Sequence, residues 1–308
     1  MQRRTFIKVA GSAISTLALP LRTTLGREPL KRNGPARFQY ALASYSLRDY
    51  FSFKKGKPQE PLTDGPAIDN IGFLDYCVEH GFDAAELTGY FFKPDGDADY
   101  FRKIRHAAYV RGVAISGTAI GNNFTGGKGP KHESEVASAL EWVDNAANLG
   151  APHIRFFAGK AKELEGNPGR LEEAVDAVMR CAKEAAPKGI FIGIENHGDL
   201  SDDHMMQMMD RVPSDGIGDW VGINLDTGNF VSDDPYAEIE RCLPYAVNIQ
   251  LKASMKTVGG PKFPADLERV AKLIKDSGYQ GTVALEYEDE DPYKNIPVFF
   301  QKVRDLLE

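Results

Sequence analysis

The sequence has few of the features that would place it in several large classes of protein. It has 3 Cys and 6 His among 308 residues, and its formal net charge is −7. An odd number of widely separated cysteines does not suit a disulfide framework, so Cys77, Cys181 and Cys242 are expected to be small buried side chains. The negative charge argues against non-specific binding of nucleic acid, which requires a basic face.

Long apolar runs are also absent beyond the N-terminus. A membrane-spanning helix requires about 20 consecutive apolar residues, and no later stretch approaches that length, so we do not expect a membrane-embedded protein. The N-terminus pairs Arg3 and Arg4 with the apolar run of residues 9–21. This pattern is typical of a twin-arginine export signal and predicts a periplasmic or otherwise exported protein. A basic start to an ordinary first helix is the alternative.

The rest of the chain is long enough for one large domain with a sizeable core, since 42% of the residues are hydrophobic. We assign residues 1–36 to the signal and a linker, with cleavage within residues 22–37, and residues 37–308 to a catalytic domain.

Within this domain, short apolar runs alternate with helical patterns. The predicted strands are residues 38–46, 83–89, 113–121, 153–159, 190–198, 220–229, 246–253 and 282–288. The clearest predicted helices, each ending near a glycine, are residues 68–82, 132–150, 171–189 and 265–279. This alternation predicts a parallel sheet, and eight such units match the size of a (β/α)8 TIM barrel. A doubly wound sheet is the alternative, but residues 43–50 lack its glycine-rich phosphate turn.

Two long connections follow predicted strands, at residues 48–67 and 122–131. Both follow the carboxyl end of a strand, where barrel enzymes carry loops that cover the substrate. A surface insertion without function is the alternative for each.

Oxygen-bearing side chains stand near the ends of four consecutive predicted strands. In chain order they are Glu195, Asp226, Gln250 and Glu286. The carboxyl ends of barrel strands share one face, so we expect these side chains to converge. Three carboxylates together would repel one another, and a divalent cation would remove that repulsion. Four oxygen ligands favour Mn²⁺ or Mg²⁺, with Zn²⁺ or Co²⁺ as alternatives. Solvated rim residues or helix caps are the structural alternative.

The second half of the chain resembles the xylose isomerase-like barrels, a family of sugar phosphate isomerases and epimerases. The resemblance runs from about residue 38 to the end and is clearest in GIFIGIENHG, NLDTGN and GGPKFPADLERVAKLIKDSGYQGTVALEYE. It implies that Glu195, Asp226 and Glu286 hold one metal ion. Gln250 stands where the family usually has a histidine. The shortage of histidine counts against the related DNA-repair endonucleases, which use several zinc ions.

The resemblance also implies a chemistry, proton transfer beside a sugar carbonyl. Glu195 and Glu286 are expected to remove and return the proton, one on each face of the carbon. His197 is expected to bind a substrate oxygen or orient a ligand, and Lys252 to polarise a carbonyl. A structural histidine and a solvated lysine are the respective alternatives. The candidate binders of sugar hydroxyls are Glu86, Asn122, Arg155 and Asn229, and Glu86 could instead pair with Arg155.

Three functions remain open from the sequence. The first is a metal-dependent isomerase or epimerase of an unphosphorylated sugar, because the predicted export separates the protein from cytoplasmic sugar phosphates. The only candidate phosphate loop is residues 256–262. The second is elimination or net hydrolysis of a 3-keto-glycoside by the same first step. The third is a non-catalytic sugar-binding barrel. In each case the partner is a small sugar or glycoside, and a homo-oligomer is possible.

Overall fold

The computed structural model describes residues 26–214 and 216–308. Eight parallel strands close into a barrel, with helices between them. The strands are β1 (Arg37–Ala43), β2 (Ala84–Thr88), β3 (Ala114–Ala119), β4 (His153–Phe157), β5 (Phe191–Glu195), β6 (Val221–Asp226), β7 (Ala246–Leu251) and β8 (Gln280–Leu285). The barrel closes where β1 pairs with both β2 and β8, and Ala41 lies opposite Ala84 on one side and Ala284 on the other. The predicted TIM barrel is confirmed.

The strands are buried on both faces because helices cover the outside of the barrel. The helices of at least eight residues are α1 (Asn70–Glu79), α2 (Ala98–Val110), α3 (Pro130–Leu149), α4 (Gly169–Ala185), α5 (Asp202–Met209), α6 (Pro235–Cys242), α7 (Leu267–Asp276) and α8 (Pro292–Leu307). Several begin at an aspartate that accepts backbone N–H bonds, as Asp69 does for α1 and Asp97 for α2. None of the helices among the described residues is long and apolar enough to cross a membrane.

The observed elements are mostly shorter than the sequence predicted. The run predicted as a strand over residues 38–46 ends at Ala43, where the chain turns into a 3-10 helix, Ser44–Leu47. The run over residues 190–198 likewise ends at Glu195. In both cases the excess residues belong to the loop at the carboxyl end of the barrel. Hydrophobic patterning does not separate the last strand residue from a buried loop residue, so the predicted ends were wrong by a few positions.

The described part of the predicted linker packs against the amino end of the barrel. The Arg27 backbone N–H donates to the carbonyl of Met209 at 2.7 Å, and the Arg27 side chain reaches the carbonyl of Val221 at 3.1 Å. Arg32 lies over the ring of Tyr279, 4.9 Å from its centroid. The segment therefore covers the end of the barrel opposite the candidate site. Residues 1–25, which contain the predicted export signal, lie outside the described residues.

All three cysteines are buried, as expected.

The two long connections differ in their local structure. Residues 53–58 form a short hairpin within the first. In the second, Asn123 and Thr125 hydrogen-bond to the Glu163 carboxylate at 3.0 and 2.6 Å. Neither observation tests whether these connections cover a substrate.

Gly193 tests how tightly the barrel interior is packed. A Cβ at this position in β5 would lie 2.3 Å from the His153 Nε2 and 2.9 Å from the Asn224 Cβ. We therefore expect Gly193→Ala to lower the free energy of unfolding by about 1–3 kcal/mol, as overpacking of a core usually does. Urea denaturation measures the change.

The matched control for that variant is Gly169→Ala. Gly169 begins α4, and an added Cβ would meet no atom within 4 Å. Alanine there should be neutral or slightly stabilising, because it restricts the unfolded chain. Equal stabilities for the two variants would contradict the packing argument.

Candidate active site

The polar side chains that the sequence singled out lie together at the carboxyl end of the barrel. Glu195 and Asp226 are the last residues of β5 and β6, Gln250 precedes the end of β7, and Glu286 directly follows β8. All four are buried. Successive strand residues point to opposite faces, so only alternate positions reach the barrel interior. Gln250 contacts Glu286, and Lys252 contacts both Asp226 and Glu286, so these strand ends lie together; Asn229 connects Glu195 to Lys252.

A layer of amide side chains supports this site from below. Glu86, on β2, accepts hydrogen bonds from the Gln250 Nε2 at 2.6 Å and the Asn248 Nδ2 at 2.8 Å. Asn224 closes the ring, because its Oδ1 accepts from Asn248 at 2.8 Å and its Nδ2 donates to the Gln250 Oε1 at 2.7 Å. Gln250 Nε2 also donates to the Glu286 Oε2 at 3.1 Å. The ring fixes the orientation of the Gln250 amide.

The Lys252 ammonium occupies the centre of the site. Its Nζ lies 3.1 Å from the Asp226 Oδ2, 3.2 Å from the Glu286 Oε1 and 2.9 Å from the Glu288 Oε2. It also lies 3.2 Å from the Asn229 Oδ1. Lys252 is only 7% exposed. One buried ammonium therefore joins carboxylates contributed by two different segments of the barrel.

Glu195 has a cation of its own. The Arg155 Nε lies 2.8 Å from the Glu195 Oε2, and both side chains are buried. Asn229 Nδ2 donates to the other carboxylate oxygen at 2.8 Å. Asn229 thus bridges Glu195 and Lys252. The alternative pairing of Arg155 with Glu86 does not occur in the structure. Arg155 pairs with Glu195, and Glu86 accepts hydrogen bonds from amide side chains.

Two further predicted residues lie at the edge of the site. The His197 ring stacks on Phe157, with centroids 4.1 Å apart, and its other side is exposed. Asn122 exchanges two hydrogen bonds with the backbone of Phe157, at 2.6 and 3.0 Å. This pairing ties the second long connection to β4. A sugar contact by Asn122 would have to use the remaining N–H of its amide or the second lone pair of its Oδ1, and that contact stays a prediction.

The charges at the site shift several pKa values. Burial raises the pKa of Glu195, and the Arg155 charge opposes this rise. Burial raises the pKa of Glu86 to about 7, with a further contribution from the charge of Glu286. Burial alone would lower the pKa of Lys252, but the carboxylates of Asp226 and its neighbours outweigh this effect and raise it well above its usual value. Lys252 is therefore an ammonium at neutral pH.

The imidazole at the rim behaves differently. Loss of solvent where the ring stacks on Phe157 lowers the pKa of His197, and the positive charges of Arg155 and Lys252 act in the same direction. His197 is therefore neutral near pH 7, when it can both donate and accept a hydrogen bond.

Comparison with known proteins identifies the family to which this arrangement belongs. The model of the xylose isomerase-like TIM barrel family matches residues 74–303. The chain belongs to this family. The resemblance noted from the sequence is thereby confirmed. No curated protein sequence gives a significant match.

Solved structures of the xylose isomerase-like fold align over most of this chain. D-psicose 3-epimerase from Clostridium cellulolyticum H10, crystallised with D-tagatose, has a TM-score of 0.65 and 14% identity, covering 88% of this chain and 99% of that one. The 3-keto-D-glucoside 4-epimerase from E. coli has a TM-score of 0.62 and 13% identity, covering 87% and 100%. A xylose isomerase-like TIM barrel protein from Mycobacterium smegmatis, in complex with magnesium, has a TM-score of 0.60 and 18% identity, covering 89% and 98%.

The donor set of this xylose isomerase-like barrel does not fit the divalent ion that the family resemblance implies. The Gln250 amide turns its N–H groups, not its oxygen, toward Glu286 and Glu86. Turning it over would set its oxygen against two carboxylate oxygens. The Lys252 ammonium already contacts the oxygens of Asp226 and Glu286. Within residues 26–214 and 216–308, no group of three or more His, Cys, Asp or Glu side chains is arranged to hold a metal ion. The predicted Mn²⁺ or Mg²⁺ stays a prediction.

Three residues of this site were not identified from the sequence. Glu288 lies two positions after Glu286 and therefore faces the same side, a signal that the periodicity does offer. Asn224 and Asn248 precede Asp226 and Gln250 by two positions. Amides in apolar strands carry no sign of their function, because the partners that satisfy them lie on distant strands.

Proposed function

We propose that this protein is a sugar isomerase or epimerase, which moves a proton at a carbon next to a carbonyl of an unphosphorylated sugar. The observation that carries the proposal is the pair Glu195 and Glu286, buried on different strands at the carboxyl end of the barrel, with the Lys252 ammonium near both. A carboxylate on each face of a carbon can remove a proton and return it. The epimerases among the structural neighbours are named for sugars, D-psicose and a 3-keto-D-glucoside, which supports this substrate class.

The acidic character of the site supports an unphosphorylated substrate. Glu195, Asp226, Glu286 and Glu288 surround the centre, and among the described residues the cations in contact with them are Arg155 and Lys252. A phosphate dianion would meet this excess of carboxylates at close range, where like charges repel. Sugar hydroxyls, in contrast, can donate to carboxylate oxygens and accept from His197.

The proton transfer requires a cation that stabilises the enolate oxygen. A divalent ion would supply Lewis acidity if it were bound by Glu195, Asp226, Gln250 and Glu286, as the family resemblance implies. The Lys252 ammonium would supply a strong hydrogen bond instead. In both cases one glutamate takes the proton, and the other delivers one to the opposite face.

A second candidate is cleavage of a 3-keto-glycoside, by the same first step followed by loss of the glycosidic oxygen. A cavity of about 430 Å³ beside β2 and β3 favours a substrate with more than one ring, because Tyr90 and Trp142 line it. Tyr90 lies close enough to Arg155 and Glu195 for both charges to influence the pKa of its hydroxyl. Aromatic rings present flat apolar surfaces on which a second sugar or an aglycone can stack. Export by the twin-arginine pathway would suit such a substrate and is part of this proposal.

The experiment is incubation of the protein in D₂O with a panel of keto-sugars and 3-keto-glycosides. An isomerase or epimerase is expected to give products labelled at the carbon beside the carbonyl, detected by NMR and mass spectrometry. Release of the aglycone from a keto-glycoside would establish the second candidate instead. Tight binding of a sugar without any exchange or turnover would overturn both and indicate the non-catalytic sugar-binding barrel.

A further inference from the structure

The disagreement between the donor set and a divalent ion leads to a specific inference, which rests on the proposed function. We propose that the Lys252 ammonium is the built-in electrophile of this barrel, so that proton transfer proceeds without a bound metal ion. Lys252 then contacts the substrate oxygen on which negative charge develops, and it is a catalytic residue of the reaction.

The first argument is the position of the ammonium. Its four oxygen neighbours come from three carboxylates and Asn229, at 2.9 to 3.2 Å. These are hydrogen-bond distances, whereas Mg²⁺ holds oxygen at about 2.0–2.1 Å. A divalent ion at this point would have to displace the ammonium or share its carboxylates with it. Displacement would leave a long cationic side chain to be placed elsewhere in a buried site, and sharing would set two cations side by side.

The orientation of the Gln250 amide also supports the proposal. Its Oε1 accepts a hydrogen bond from Asn224, so the oxygen that could bind a metal ion points into the amide layer. Its Nε2 faces Glu286 and Glu86. The hydrogen bond from Gln250 occupies one oxygen of Glu286, and Lys252 contacts the other. Gln250 and Lys252 thus both remove ligands from a metal ion. They occupy adjacent interior positions of β7 and its extension.

Side-chain cations already contact the carboxylates for which a divalent ion was predicted. The repulsion among Glu195, Asp226 and Glu286 was the reason to expect a divalent cation. In the structure the Glu195 carboxylate is paired with Arg155, and Asp226 and Glu286 share Lys252. The two side-chain cations therefore contact all three carboxylates. Glu288 adds a third carboxylate contact at the ammonium, and its side chain is 21% exposed.

The chemical step balances without an added cofactor. One glutamate takes the proton of the carbon beside the carbonyl, the C–H electron pair forms the C=C bond, and the carbonyl π electrons move to oxygen. The Lys252 ammonium has three N–H groups and four oxygen neighbours, so it turns one N–H from such a neighbour to this oxygen and keeps its proton. The second glutamate, protonated, delivers a proton to the opposite face as the C=O bond reforms. Solvent then restores the protonation of both carboxyl groups.

The test uses metal content and metal binding as well as activity. The protein is dialysed against EDTA, and its metals are measured by inductively coupled plasma mass spectrometry. Deuterium exchange into the substrate found in the panel above is compared before and after dialysis. We expect less than about 0.1 metal ion per chain and exchange within about twofold of the untreated rate. We also expect no gain above about twofold on addition of MnCl₂, MgCl₂, CoCl₂ or ZnCl₂. A loss of exchange on chelation, restored by stoichiometric metal, would overturn the proposal.

Variants of Lys252 separate an electrophile from a structural lysine. Lys252→Met should lose about 10²–10³-fold in exchange rate, in the range seen for removal of one donor to a developing oxyanion, and methylammonium should restore part of the rate. Lys272→Met is the control, since Lys272 is exposed on α7 and its ion pair, with Asp276, lies within the same helix. Restoration of Lys252→Met by Mn²⁺ but not by methylammonium would contradict the role of the ammonium.

A direct titration keeps the two proposals distinguishable. Isothermal calorimetry of the wild-type protein with MnCl₂ needs no substrate. Absence of binding up to 1 mM Mn²⁺ supports the inference even if no sugar in the panel reacts, a result that would defeat only the proposed function. Stoichiometric Mn²⁺ binding that is lost in Glu195→Gln would overturn the inference and leave the isomerase proposal standing.

Discussion

Glu286→Gln is expected to lower the rate of epimer interconversion by about 10²–10⁴-fold, the range that one acid–base group contributes. The glutamine keeps the size of the side chain and can still accept from Lys252, but it cannot take or deliver the proton. Glu195→Gln should cause a loss of similar size. Steady-state kinetics on each epimer measures the effect.

Deuterium exchange gives this prediction a sharper form. If each glutamate serves one face of the carbon, each variant should still exchange the proton of one epimer with D₂O and should lose exchange of the other. The two variants should retain opposite epimers. Loss of exchange with both epimers in both variants would contradict a two-base mechanism.

The matched control for both variants is Glu288→Gln. It removes the same charge next to the same ammonium, since the Glu288 Oε2 lies 2.9 Å from the Lys252 Nζ. Because this carboxylate follows Glu286 by two positions and stands farther toward solvent, we assign it no proton transfer. We expect its loss to stay within about tenfold and to affect both epimers equally; charge-assisted contacts with partial exposure contribute modestly. A loss as large as that of Glu286→Gln would place Glu288 in the proton transfer.

Arg155→Met is expected to lower the free energy of unfolding by about 3–5 kcal/mol, the range for removing one partner of a buried ion pair. The Arg155 Nε lies 2.8 Å from Glu195, and neither side chain exceeds 6% exposure. Without the guanidinium the carboxylate would remain buried without its ion-pair partner, although the amide of Asn229 would still donate to it. Arg155 also donates to the carbonyl of Ile120 at 2.8 Å, and this contact would be lost as well.

A double variant and a surface pair test the cause of that loss. Arg155→Met combined with Glu195→Gln removes both charges, so it should recover part of the stability lost in the single variant. Arg180→Met breaks an arginine–glutamate contact with Glu133 of the same 2.8 Å length, but both of those side chains are exposed. It should cost less than about 1 kcal/mol. Equal losses for Arg155→Met and Arg180→Met in urea denaturation would show that burial does not decide the effect.

The periodicity of the strands was sufficient to place most of the candidate site. Glu195, Asp226, Gln250 and Glu286 could be aligned because each ends a buried apolar run, and parallel barrel strands end on one face. Lys252 and Glu288 follow two of these positions by two residues, so alternation also brings them inward. The metal ion was predicted because three carboxylates close together require a cation. That prediction did not consider a lysine or arginine side chain as the cation.

The pairing of the charges could not be predicted in the same way. Glu86 and Gln250 are 164 residues apart, and they meet because the closed barrel brings β2 and β7 to a common interior. Arg155 could have paired with Glu86 or with Glu195 on the evidence of spacing. In the structure it pairs with Glu195, the last residue of the neighbouring strand β5. Glu195 lies opposite Phe157 of β4. Glu86 is left to the amides of Asn248 and Gln250.

By itself, the sequence determined the alternation of strands and helices, the closure into a barrel and the face on which the polar strand ends lie. The alternation follows from local periodicity, because apolar parallel strands are covered on both faces. A closed barrel was favoured over an open sheet by the eight repeated units and by the missing glycine-rich turn. Only the tertiary structure decided which cation meets which carboxylate, and that Lys252 stands at the centre. Such contacts depend on the register of strands far apart in the chain and on the direction of each buried amide, which no single segment specifies.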